Sequence, residues 1–124
     1  MSATATATSV QELDKQLNDD VLSGKIMDAF EKYYADDVVM QENSEDPRVG
    51  KAANRKAEEE FMSSVEAFHG AKVTASAVNG DVSFSEWEMD ITFKGGKRVK
   101  FNQVAVRHWK NGKIANERFY YNKG

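Results

Sequence analysis

Apolar residues recur every three or four positions in the first part of the chain, which is typical of amphipathic helices. The first stripe consists of Val10, Leu13, Leu17 and Val21. Ser9, followed three residues later by Glu12, is a capping-box pattern, and Ser23-Gly24 breaks the helical pattern. These signals predict a helix that begins after Ser9 and ends near Ser23.

A second helix is predicted directly afterwards. Its apolar residues again share one side: Ile26, Met27, Phe30, Tyr33 and Tyr34. Residues 35–37 end it, and the β-branched segment 38–42 predicts a short strand. Residues 43–48 are polar and contain the only proline, Pro47, so they predict a loop.

The third predicted helix covers about residues 51–68. Its core stripe is expected to be Ala53, Ala57, Phe61, Val65 and Phe68. The acidic run 58–60 falls mostly on the opposite side, which predicts a solvated helix face.

From residue 71 onward the apolar pattern alternates, as it does in strands. Turn signals at Asn79-Gly80, Gly95-Gly96 and Asn111-Gly112 separate four predicted strands. The strands cover about residues 71–78, 82–93, 98–109 and 113–121.

The apolar parity changes inside the strand predicted at 82–93. Val82 and Phe84 occupy even positions, whereas Trp87 and Met89 occupy odd ones. A bulge near residues 85–86 would account for the change, because one inserted residue reverses the direction of every later side chain.

Helices followed by antiparallel strands predict an α+β fold. One long helix cannot cover four long strands. We therefore expect a cone-shaped, strongly curved, mostly antiparallel sheet packed on the three N-terminal helices. Such a sheet leaves an internal cavity, where small ligands usually bind. Residues 9–124 are predicted to form one domain, and residues 1–8 a disordered tail.

Composition and charge exclude several kinds of function. The 124-residue chain has a net charge of -3, which argues against nucleic acid or an anionic membrane as the partner. It has no cysteine and two histidines, so thiolate chemistry is excluded and a metal site is not expected. Without a membrane-spanning apolar run or a signal-peptide pattern, the expected location is the cytoplasm.

Three segments resemble signatures of a known superfamily. Residues 33–42, YYADDVVMQE, are similar to the F-Y-A-D-D-V-V signature of nuclear-transport-factor-2-like domains, which form cystatin-like rolls. Residues 106–114 resemble the aromatic-x-x-x-G-K-I hairpin of that superfamily, and residues 49–53 resemble the start of its third helix. Their order and spacing resemble the SnoaL-like and ketosteroid-isomerase-like branch.

This resemblance implies a protein that binds a small molecule. Members of the branch include isomerases, cyclases and dehydratases, so the implied chemistry is acid–base catalysis without a cofactor. The alternative is a non-catalytic domain that binds a ligand or dimerises, because a fold does not determine a function.

Glu42 falls where the steroid-isomerase branch places its carboxylate base. Burial would raise the pKa of such a carboxyl, which suits proton abstraction near neutral pH. Equally, Glu42 could simply begin the polar loop. Leu17 and Ala105 stand where steroid isomerases carry their two oxyanion donors, so isomerisation by that mechanism is not expected.

Strand parity predicts a polar cluster inside the cavity. It points Gln103 and Arg107 inward. A three-residue turn with Gly112 in the left-handed conformation would place Glu117 opposite Ala105, facing inward and diagonal to both. A two-residue turn would send Glu117 outward. The hairpin of the resembled family favours the first arrangement.

Two interpretations of this cluster are open. Arg107 could anchor a ligand carboxylate or carbonyl, with Glu117 as an orienting group or acid, or the pair could be a structural salt bridge. The candidate catalytic residues are thus Glu42 and Glu117. The candidate ligand-binding residues are Tyr34, Met40, Phe61, Trp87, Met89, Gln103, Arg107, Trp109 and Phe119. They suit a small apolar ligand that carries a carboxylate or a carbonyl.

The outer face of the predicted sheet carries Val104, Val106 and Tyr120 among charged residues. A mixed apolar patch on a sheet face indicates a partner. Closed two-fold dimers are the commonest oligomers, so we expect a homodimer through this face.

Overall fold

The computed structural model describes residues 9–122. The tail predicted at 1–8 lies outside the described residues. The three helices are α1 (Val10–Leu22), α2 (Ile26–Tyr33) and α3 (Lys51–Ser64). The strands are β1 (Tyr34–Glu42), β2 (Arg48–Val49), β3 (Val65–Asn79), β4 (Val82–Phe93), β5 (Arg98–Lys110) and β6 (Lys113–Tyr121).

All six strands belong to one curved sheet with the order β2-β1-β6-β5-β4-β3. Neighbouring strands are antiparallel except β1 and β6, which run parallel. The helices pack on the concave side, so the predicted α+β fold is confirmed.

The start of α1 follows its capping signal. The Ser9 hydroxyl accepts a hydrogen bond from the backbone N–H of Glu12 at 3.1 Å and donates one to the Glu12 carboxylate at 3.0 Å. The helix ends before Gly24, whose φ of 82° is readily adopted by glycine. The apolar stripe of α1 then places Leu17 in the core.

The third helix is shorter than the predicted range of about 51–68, because β3 begins at Val65. At Val65 the backbone turns to an extended conformation, with φ of -85° and ψ of 124°. Residues 65 and 68 pair with Phe93 and Ile91 of β4. The ladder with β4 thus outweighs the local helical period.

The predicted core stripe of α3 is also wrong in part. Ala53 is exposed, and the fully buried residue of this helix is Asn54. The Asn54 amide donates to the backbone carbonyls of Val38, Arg48 and Gly50 at 3.3, 3.0 and 2.8 Å. A polar side chain therefore ties α3 to the first two strands.

The bulge predicted at residues 85–86 is absent, since β4 and β5 pair without interruption from Val82 to Thr92. Ser83 and Ser85 face inward and are buried, whereas Phe84 faces outward. The irregularities lie in the ladder between β3 and β4 instead.

Hydrogen bonds explain why serine is tolerated inside. The Ser83 hydroxyl donates to Asp14 at 2.7 Å and accepts from the indole N–H of Trp109 at 2.9 Å. Ser85 accepts from the indole N–H of Trp87 at 3.0 Å. The two serines thus satisfy two buried tryptophans.

Replacing Ser83 by alanine tests this arrangement. Ser83→Ala should lower the free energy of unfolding by about 1–3 kcal/mol, because it leaves the Trp109 indole N–H without an acceptor and removes a donor to Asp14. Urea denaturation measures the change. The control is Ser76→Ala, at an exposed position of β3, which should change stability by less than about 0.5 kcal/mol. Equal effects of the two substitutions would contradict the inward position of Ser83.

Candidate active-site cavity

A cavity of about 430 Å³ lies between the helices and the concave face of the sheet. Aromatic side chains form much of its wall: Phe30, Phe61, Trp87, Phe93, Phe101 and Phe119. Polar groups of β1, β2, β5, β6 and α3 also reach it. A mainly apolar cavity with a few convergent polar groups is the usual form of a small-molecule site.

The turn between β5 and β6 differs from the favoured prediction. Asn111 and Gly112 have positive φ values of 54° and 78°, and Lys110 pairs with Lys113, so the turn has two residues. By parity alone such a turn would send Glu117 outward.

A bulge reverses that outcome. Trp109 pairs with Ile114, but His108 pairs with Asn116, so Ala115 is the extra residue. Glu117 therefore faces inward, directly opposite Arg107 rather than opposite Ala105. The predicted contact between Arg107 and Glu117 is correct. Gln103 lies opposite Tyr121 and is not a neighbour of Glu117, and the turn and the register that were favoured are wrong.

The inward pair belongs to a buried network. Arg107 Nε donates to Glu117 at 2.7 Å, and its Nη1 donates to Asp14 at 2.8 Å and to Asn18 at 2.7 Å. The Tyr34 hydroxyl donates to the other oxygen of Glu117 at 2.6 Å. Arg107 is 3% exposed and Glu117 is fully buried.

Electrostatics keep the guanidinium of Arg107 and the hydroxyl of Tyr34 protonated. Burial alone would lower the pKa of Arg107, but the charge of Glu117 together with Asp14 holds that pKa above its ordinary value. Burial and the same carboxylate raise the pKa of Tyr34 well above its usual range. Arg107 is thus charged and already paired, so the structure favours the salt-bridge interpretation of this cluster.

Glu42 lies at the end of β1 and lines the cavity. Its Oε2 accepts from Arg48 Nη1 at 2.8 Å, and its Oε1 accepts from the Tyr121 hydroxyl at 2.8 Å. Burial and the bond to Glu42 raise the pKa of Tyr121 above its ordinary value. Arg48 is held from its other side by Asn54, whose side-chain oxygen accepts from Arg48 Nε at 3.2 Å.

The residue that the sequence analysis missed is Glu58. It was predicted to lie on a solvated face, yet its side chain lines the cavity. Burial, reinforced by the charges of Glu117 and Glu42 and opposed by Arg48, raises the pKa of Glu58 to about 7. Among residues 9–122 the Glu58 carboxyl has no hydrogen-bond or ion-pair partner.

One signal could have indicated Glu58. It stands four residues after Asn54 and three before Phe61, so all three lie on one side of a helix. Asn54 is buried and Phe61 lines the cavity, but a polar residue at position 54 gave no reason to place the inward side there.

Most of the other predicted ligand-binding residues do line the cavity. These are Tyr34, Phe61, Trp87, Met89, Gln103, Arg107 and Phe119. Met40 and Trp109 instead pack in the hydrophobic core with α1 and α2, so their assignment to the cavity wall is corrected. The Gln103 amide, like Glu58, has no side-chain partner within the described part of the chain.

Residues 9–122 contain neither a metal-binding cluster nor a membrane-spanning helix. No three acidic or histidine side chains there are grouped to hold a metal ion. No helix in the same range combines the length and the apolar character needed to cross a bilayer.

The chain is similar to known proteins in sequence and in structure. The SnoaL-like domain matches residues 8–121. A candidate SnoaL-like polyketide cyclase from Mesorhizobium loti is 34% identical, with a TM-score of 0.81 over 92% of this chain and 100% of its own. A search of curated proteins gave no match.

Two more distant structures share the fold. A candidate polyketide cyclase from Pseudomonas putida is 20% identical over 94% of both chains, with a TM-score of 0.78. A nuclear-transport-factor-2-like protein of unknown function from Burkholderia xenovorans is 18% identical, with a TM-score of 0.72 over 93% of this chain and 84% of its own.

The raised pKa of Glu58 predicts a pH-dependent cost in stability. The folded protein holds this proton up to about pH 7, whereas the unfolded chain releases it near the ordinary value of 4.5. Folding is therefore weakened as pH rises between these values, and the loss persists above about pH 7. Glu58→Gln removes this loss. From about pH 5 to pH 8.5 the variant should gain about 1–3 kcal/mol relative to the wild type.

Chemical denaturation at both pH values measures the difference. Glu60→Gln is the matched control, since Glu60 is exposed on the same helix. A stability difference between Glu58→Gln and the wild type that is independent of pH would contradict the raised pKa.

Proposed function

The chain belongs to the SnoaL-like domain family, and from that premise we propose that it binds one small, mainly apolar molecule and transfers a proton on it with Glu58. The observation that supports this proposal most is the Glu58 carboxyl, which lines an aromatic cavity without a protein partner. The proposed chemistry is acid–base catalysis that requires no metal or cofactor.

The pKa of Glu58 suits this role. At a pKa of about 7, both the carboxylate and the carboxylic acid are well populated near neutral pH. The carboxylate takes a proton from the ligand, whose bonding electrons stay on the ligand. The carboxylic acid then returns the proton at another position, so the protein ends in its starting state.

Glu42 and Glu117, the catalytic candidates from the sequence, receive supporting roles in this proposal. Each accepts two hydrogen bonds, one from an arginine and one from a tyrosine. Such bonds hold each carboxylate in place. We assign the two residues to shaping the site and to raising the pKa of Glu58 by their charge.

Gln103 is the proposed contact for a ligand oxygen. Its amide lines the cavity from β5 and can donate to a carbonyl or hydroxyl group of the ligand. The apolar body of the ligand would then pack against aromatic residues such as Trp87 and Phe119. This gives the ligand a fixed orientation relative to Glu58, which proton transfer requires.

Hydrogen–deuterium exchange tests the proposed proton transfer. The probe is 2-tetralone, an apolar bicyclic ketone whose α-hydrogens exchange when a base removes them. In D2O the wild-type protein should accelerate loss of these proton signals in NMR spectra. Glu58→Gln should reduce the protein-dependent rate by about 10²–10⁴-fold, because glutamine cannot accept the proton.

Binding is followed separately, by saturation-transfer NMR on the same probe. Glu58→Gln should still bind 2-tetralone, and Glu60→Gln should match the wild type in both measurements. Equal exchange rates for the wild type and Glu58→Gln would refute the assignment of Glu58, while binding without any exchange would favour the non-catalytic alternative.

We also propose that two chains associate through the outer face of the sheet. Phe84 is 37% exposed there and Tyr120 is 44% exposed. Phe84 pairs with Val106, and Tyr120 pairs with Val104, so the four side chains form one continuous apolar patch. Such a patch on a sheet face is typical of an interface.

A charge within the patch should prevent association. Light scattering should give twice the chain mass for the wild type at micromolar concentration and the single-chain mass for Phe84→Glu. Val49→Glu is the control, because Val49 is 68% exposed on β2, away from the patch. A monomeric wild type, or a dimeric Phe84→Glu, would contradict the interface.

A further inference from the structure

We infer that the cavity selects its ligand by charge, favouring apolar molecules with an ammonium group over neutral ones and disfavouring carboxylates. This inference rests on the proposed ligand binding but goes beyond it, since it specifies the class of ligand. It differs from the sequence-based interpretation in which Arg107 anchors a ligand carboxylate or carbonyl.

Carboxyl groups outnumber guanidinium groups in the wall of the cavity. Its wall contains the carboxyl groups of Glu42, Glu58 and Glu117, but only the guanidinium groups of Arg48 and Arg107. Behind the wall, the carboxylate of Asp14 also contacts Arg107 at 2.8 Å. With Glu58 ionised, the wall itself carries three carboxylates and two guanidiniums. The field inside the cavity therefore favours cations.

Both guanidinium groups in the wall already have ion-pair and hydrogen-bond partners within the protein. Arg107 is bound to Glu117 and Asp14 and is almost fully buried. Arg48 is bound to Glu42 at 2.8 Å and to Asn54. A ligand carboxylate would have to displace one of these carboxylates or stay unpaired, and an unpaired charge inside an apolar site is strongly unfavourable.

Glu58 can accept a charge-assisted hydrogen bond from an ammonium group of the ligand. Its carboxyl lines the cavity and has no partner within residues 9–122, so it can pair with a cation without breaking an existing contact. Phe61 stands one helical turn further along α3 and lines the same cavity. The faces of such rings attract cations, which adds to the attraction of the carboxylate.

Three naphthalene derivatives of matched shape test the inference. They are 2-naphthylmethylamine, 2-naphthalenemethanol and 2-naphthoate, which carry a positive charge, no charge and a negative charge at about pH 8. Their dissociation constants are measured by NMR titration on the full chain. The amine should bind about tenfold more tightly than the alcohol, because it gains a charge-assisted bond to Glu58, and the carboxylate should bind most weakly.

Two variants identify the source of the preference. Glu58→Gln keeps the shape of the side chain and removes its charge, so the advantage of the amine over the alcohol should fall below about threefold. Glu60→Gln removes a charge from the same helix outside the cavity and should leave the order unchanged.

The outcomes separate the inference from the proposed function. If none of the three compounds binds the wild type, the proposed ligand binding fails. If they bind but the carboxylate binds as tightly as the amine, or Glu58→Gln keeps the full preference for the amine, only the inference about charge is overturned.

Discussion

The buried guanidinium of Arg107 connects helix α1 to the sheet. Arg107 on β5 binds Glu117 on β6 and, from the opposite side, Asp14 and Asn18 on α1. A buried cation that lost its partners would cost several kcal/mol, so α1 is fixed over the sheet by charge as well as by Leu17. The position of α1 in turn closes one side of the cavity.

The elements that the sequence predicts well are those set by neighbouring residues. The cap at Ser9 and the position of the turn at Asn111-Gly112 follow from side chains a few positions apart, and both lie where they were expected, although the turn has two residues rather than three. The failures involve distant partners. Ser83 is inward because Asp14, 69 positions earlier, and Trp109, 26 positions later, bond to it. No local period could reveal these contacts.

The candidate site divides in the same way. Parity correctly predicted that Gln103 and Arg107 reach the cavity, because alternation along a strand is a local property. Glu117 reached the predicted side for a different reason, since the bulge at Ala115 compensates for a turn that was not favoured. Glu58 was missed because a helix can turn either side inward, and buried Asn54 decided which side it would be.

The way in which α3 is attached has a consequence for how such a protein can change over evolutionary time. Asn54 secures the helix through backbone carbonyls of Val38, Arg48 and Gly50, whatever side chains those residues carry. The inward residues further along, Glu58 and Phe61, border open space rather than a packed core. Substitutions at these two positions can change which ligand is bound at little cost in folding stability. In the arginine network on the opposite wall, by contrast, the partners of Arg107 would have to be replaced together with it. Folding therefore constrains one wall of the cavity strongly, whereas substitutions in the other wall would change the ligand site at little cost in stability.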